Sequence, residues 1–132
     1  MKNRITYVSQ ADTEKIKQKI ILVKKTFIVE IEGKKNKCLS DYLLDISLKF
    51  KFPTIARDYA VYDDWLCDLT WIDEPNIAIF IYNFRDFMYV DLDAKNTIMK
   101  KFEREILPWW ESEVCRHVVE GKARSFMVYL IE

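Results

Sequence analysis

The sequence predicts an α/β fold built on a parallel sheet. Three observations carry this. Runs rich in β-branched and aromatic residues, "TFIVEIE" at 26–32, "NIAIFIYNF" at 76–84 and "SFMVYLI" at 125–131, read as strands. The intervals between them hold apolar residues at helical spacing. Each interval is long enough for two helices, and strands separated by helices favour parallel pairing through right-handed crossovers.

"ITYVSQ", residues 5–10, reads as a short edge strand. In "DTEKIKQKIILVKK" (12–25), Ile16, Ile20 and Val23 share one helical face and lysines the other. Phe27, Val29 and Ile31 alternate with Ile28, Glu30 and Glu32 in the next strand, which ends in a turn at Gly33. Lys34, Lys35 and Lys37 then read as a solvated loop. "LSDYLLDISLKFKFP" reads as a helix with Ser40 as its N-cap, an apolar face of Leu43, Leu44, Ile46 and Phe50, and a stop at Pro53. Residues 58–70 form the next helix. The 76–84 run is apolar almost throughout, as a central strand covered on both faces requires. A helix at about 93–107 ends at Pro108, which suits the first turn of a further helix closed by Gly121. Trp109 and Trp110 fill core at that helix start, and His117 is a surface residue near its end.

The 132 residues set a prior of one domain, 1–132. Four Trp, seven Tyr and eight Phe supply ample core. The formal net charge is zero, which argues against nucleic-acid binding, because that needs a positive field to displace counterions. Three widely spaced cysteines, Cys38, Cys67 and Cys115, fit reduced thiols in a cytoplasmic protein, and no Cys/His cluster offers a zinc site. The N-terminus has no apolar stretch of the secretory kind, and no run is long enough to span a bilayer. No glycine-rich phosphate loop is present. These readings give no cofactor and no bound metal.

The segment "DYAVYDDWLCDLTWIDEP", 58–75, has six carboxylates and no Lys or Arg, and the next base is Arg85. On a helical wheel Val61, Tyr62, Trp65, Leu66 and Leu69 share a face that should pack on the sheet. Ala60, Asp63, Asp64 and Cys67 fall opposite, with Asp68 on the flank. No base stands at i+4 to pair with these acids. Adjacent unpaired acids are either a solvated face or a surface shaped for a cationic partner.

These residues resemble the barstar family of intracellular ribonuclease inhibitors. The resemblance rests on "KFP" at 51–53, "AVYDDWLCDL" at 60–69 and "WIDEP" at 71–75, flanked by "FIVEIEGKKNKCLSDYLLDI" and "VVEGKARSFMVYLIE". It covers residues 26–132 in order. It implies a small parallel three-stranded sheet with helices around it, to which residues 1–25 add a strand and helix. It also implies an acidic helix that plugs a phosphate-binding active site. The family's second, dominant Asp falls on Asp64. Its first falls on Ala60, its aromatic contact residue on Asp63 and its buried Cys on Trp65. The loop before the helix, "TIARDY", is one residue shorter than the family's and lacks its Gly and Asn.

The expected function is therefore that of a non-enzymatic immunity protein, monomeric when free, that blocks a protein toxin, most simply a ribonuclease. The expected partner-binding residues are Asp64, Asp63, Asp58, Ala60, Cys67, Asp68 and Tyr59. An alternative is a protein–protein adaptor on the same fold whose acids are merely solvated. A metal-dependent hydrolase using Asp58, Asp63 and Asp64 is a weaker one, since no Lys, His or Glu completes the constellation.

Overall fold

The computed structural model describes residues 2–23 and 25–132, with the Val23 side chain outside the description. The elements in chain order are β1 (Arg4–Val8), α1 (Gln10–Val23), β2 (Thr26–Glu32), α2 (Leu39–Lys49), α3 (Tyr59–Leu66), β3 (Asn76–Tyr82), α4 (Leu92–Lys101), α5 (Val114–His117) and β4 (Ser125–Ile131). Single 3₁₀ turns, Gly33–Lys35 and Phe84–Asp86, follow β2 and β3. The lysines expected in a loop after Gly33 thus lie partly in helical turn.

The four strands pair in the order β1-β4-β3-β2, all parallel. A three-stranded sheet was the expectation for 26–132. The strand of the N-terminal extension enlarges it by pairing with β4, from Arg4 opposite Met127 to Val8 opposite Ile131. The 76–82 strand is second from the β2 edge and is buried on both faces, as its unbroken apolar run requires.

Strand alternation sorts side chains onto two faces. On one face Phe27, Ile77 and Phe126 lie in register, as do Val29, Ile79 and Val128, and Ile31, Ile81 and Leu130. These rows meet Tyr42, Ile46 and Phe50 of α2, Tyr62 and Leu66 of α3, and Ile98, Phe102, Ile106 and Trp110 from the 92–117 segment in one core. On the other face Ala78, Phe80, Ile131 and Val8 form a smaller cluster under Ile16 and Ile20 of α1. Of the α1 face read from sequence, Ile16 and Ile20 pack as expected and Val23 lies outside the described residues. Lys17 pairs with Glu30 across that face.

Three local expectations are corrected. The first turn of α2 starts two residues earlier than expected: Cys38 is the N-cap and makes no side-chain cap bond, while Ser40 is exposed. Leu44 lies on the solvent side of α2. Pro108 does not end a helix. The chain stays helical from Leu92 to His117, widened into π-turns at Phe102–Ile106 and Trp109–Glu113. A proline ring collides with the carbonyl four residues back and offers no N–H. The π-turns relieve this by shifting donors to i−5: Leu107 N–H donates to Phe102 O, and Val114 N–H to Trp109 O.

Candidate functional site

The loop before α3 is tied down by one serine. Ser47 Oγ donates to Leu43 O at 2.5 Å and accepts from Ala56 N–H at 3.0 Å, while Phe52 N–H donates to Ser47 O at 2.9 Å. Lys51 reverses the chain after α2 in the left-handed region, φ 56°. Asp58 then caps α3: its Oδ1 accepts the Val61 N–H at 2.9 Å, satisfying one of the helix's orphan donors. The predicted 58–70 helix is shorter, Tyr59–Leu66, because Leu69 turns left-handed at φ 51°. Leu69 is nevertheless fully buried.

Two buried tyrosines anchor α3 to α2. The Tyr42 and Tyr62 hydroxyls lie 2.8 Å apart, and burial pushes both far above the usual phenol range. Leu66 O accepts the Trp110 indole N–H at 2.8 Å. Trp65 is only half-buried. Its indole N–H donates to Thr54 Oγ1 at 3.1 Å, and its ring meets Trp71 edge-on at 5.7 Å. It packs against the margin of the core, on the face the wheel assigned to it, and also braces the loop.

The acidic stretch is not free of bases once the chain is folded. Lys101 Nζ binds Asp63 Oδ2 at 2.7 Å, lies 3.7 Å from Glu105 and stands 5.0 Å over the Tyr59 ring. The Lys101 and Asp63 side chains are 13% and 29% exposed. Burial lowers the Lys101 pKa, but the hydrogen bond and charge of Asp63, with Glu105, outweigh it, and the net shift is upward. The second Asp63 oxygen is buried without a hydrogen-bond partner. Asp63 thus lies in a flank contact with α4, not on the open face where the wheel put it.

A second base serves the other end of the stretch. Arg124 donates to the Leu69, Ile72 and Glu74 carbonyls at 2.9–3.0 Å and covers the Trp110 ring at 4.9 Å. Burial lowers its pKa, against the attraction of Glu74, Asp73 and Asp68. Cys67 is half-buried, not exposed as the wheel implied. Burial, then the charges of Asp63, Glu105 and Asp64, push its thiol up to about 12.

The expected site residues are therefore divided. Asp58 is a cap, Tyr59 and Asp63 hold Lys101, Cys67 is an inert half-buried thiol, and Asp68 faces the Arg124 field. Ala60 and Asp64 are exposed on the same short helix, and no hydrogen bond or ion pair joins the Asp64 carboxylate to any described residue. Lys101 and Arg124 carry no signal in the sequence, since each meets its partners only through packing.

Among the described residues no group of three or more His, Cys, Asp or Glu is placed to hold a metal ion, and no helix is long and apolar enough to cross a membrane. Compared with known proteins, the chain matches no family model, no curated protein and no solved structure.

Proposed function

We propose that this chain is a barstar-like immunity protein that inserts the α3 face, with Asp64 at its centre, into the active site of a cationic toxin, most simply a ribonuclease. The observation that carries this reading is Asp64 itself. It is exposed and unpaired on a helix that is held at both ends and along one side. A fixed carboxylate of this kind can occupy a position where the enzyme expects a phosphate oxygen. A rigid presenting element keeps the ordering cost of binding low. Opposite fields would speed the encounter.

One observation favours the second reading, an adaptor without inhibitory action. Lys101 and Arg124 reduce the net field of the acidic stretch, so less of it is available to attract a cation. Co-expression with a candidate ribonuclease toxin, sought first in any small protein encoded beside this chain, separates the two. Rescue of growth and co-purification support the inhibitor, provided that Asp64→Ala abolishes both. Rescue that survives Asp64→Ala rejects the α3 mode.

A further inference from the structure

A groove of about 580 Å³ lies between the loop that follows α3 and the loop that follows α5. Trp110, Val114 and Ile72 line it, and Val118 and Val119 form its lip, 46% and 93% exposed. Such a lip is not the product of a slack loop. Val118 N–H donates to Val114 O at 3.0 Å, Gly121 N–H to Val118 O at 2.9 Å, and Arg124 N–H to Trp110 O at 2.9 Å. Gly121 is packed so closely that an added Cβ would stand 2.4 Å from Val114 O. Glu120 holds the turn in the left-handed region, φ 59°, a conformation that costs a non-glycine residue free energy. The fold therefore holds an aliphatic side chain out in water on a stiff support.

The rim is acidic by one charge, three carboxylates against two bases. Asp68, Asp73 and Glu120 line the groove. Of its two bases, Arg124 has its donors turned inward onto the Leu69, Ile72 and Glu74 carbonyls, which leaves Lys122 as the outer one. An anionic rim around exposed aliphatic side chains complements one kind of surface: a lysine or arginine beside an aliphatic residue.

We propose that this groove is a second docking surface, which takes a segment of a partner protein carrying a cationic side chain next to an aliphatic one. Its test is separable from that of the α3 reading, because Asp64 does not line it, although Cys67 and Asp68 at the end of the acidic stretch do. Val119 supplies the apolar contact, and Asp73 and Glu120 take the cation.

The test uses three fluorescein-labelled ten-residue peptides in anisotropy titrations with the full chain at physiological salt: alternating Lys and Leu, alternating Lys and Ser, and alternating Glu and Leu. The Lys/Leu peptide is expected to bind saturably and at least about tenfold tighter than either control, and Val119→Ser or the pair Asp73→Asn/Glu120→Gln should each weaken it about tenfold, as removal of a central contact does. Asp64→Asn should leave this binding unchanged, so a failure of the α3 reading does not register here. Thermal melts of the variants should match the parent, since the altered side chains lie at the surface. Equal binding of the three peptides, or groove variants that bind like the parent, overturns the proposal. So does a dimer in sedimentation that Val119→Ser dissolves, because the groove would then belong to a second copy.

Discussion

Lys101 and Asp63, 38 residues apart in sequence, meet at 2.7 Å across the flank of α3. This contact makes two adjacent acids unequal. Asp63 is bound to the fold, and Asp64 is left to solvent. Asp64→Ala should therefore change stability by no more than about 0.5 kcal/mol, as at an ordinary surface site. On the proposed inhibitor reading it should weaken binding to the toxin by roughly 2–5 kcal/mol, since partner charges lose their counter-charge. Asp63→Ala should instead lower stability by about 1–3 kcal/mol, because it leaves the largely buried Lys101 side chain with only the longer Glu105 contact. A melt and an affinity titration of both variants check this. Equal behaviour of the two acids would show that the ion pair has no consequence in solution.

The Tyr42–Tyr62 hydroxyl pair should show non-additivity. Tyr42→Phe or Tyr62→Phe alone leaves one buried hydroxyl without a partner and should cost about 1–3 kcal/mol, whereas the double variant should be close to neutral. Denaturant titrations of the three variants supply the cycle. Additive losses would mean that the hydroxyls do not rely on each other.

Stability should fall in alkali. The Tyr42, Tyr62, Cys67 and Lys101 pKa values are all raised by folding. A raised group contributes stability that is complete below its unfolded value and is lost as pH climbs toward the folded one. For Cys67 that window runs from about 9 to about 12. Unfolding midpoints in urea should decline from pH 8.5 to 11. At pH 8 the exposed Cys115 should be alkylated well before Cys67. Rapid modification of Cys67 in the native protein would contradict its half-buried place beside the 105–114 part of the helical segment.

Lys51→Gly should stabilise the fold by about 0.5–1 kcal/mol, because glycine adopts the left-handed region without the Cβ penalty that lysine bears there. The side chain is exposed, so no packing is lost. A raised melting temperature is the expected readout, and an unchanged or lower one would place the strain elsewhere.

Strand and helix content was readable where periodicity and burial agree. Ile77 to Ile81 are apolar on both faces because the strand they form is covered on both faces. The wheel for 58–70 placed Tyr62 and Leu66 correctly, and both are buried. It misplaced Asp63 and Cys67, because a wheel knows one neighbour, the sheet, and α3 has a second, the 92–117 helical segment. Glu105 and Glu113 of that segment act on Cys67. Pro108 misled for a related reason. The rule that proline ends helices assumes α-geometry, and a π-turn evades it. The charge balance of 58–75 was unreadable because Lys101 and Arg124 reach it only through the third dimension.

The position of β4 bears on how the chain is made. It lies between β1 and β3, so β1 has no strand partner until residues 125–131 exist. Asn3 adds to the dependence: its side chain bonds Leu107 O and Arg124 O and accepts the Phe126 N–H. During synthesis β2 and β3 can pair early, while "RITYV" waits as an unpaired edge, exposed to any other strand nearby. At elongation rates of roughly 5–20 residues per second, that wait lasts about 6–25 s. The closing of the sheet is thus an event of long sequence separation, a class of contact that slows folding. A ribosome-stalled chain ending before Ser125 should leave residues 4–8 open to protease, and one extended past Ile131 should protect them.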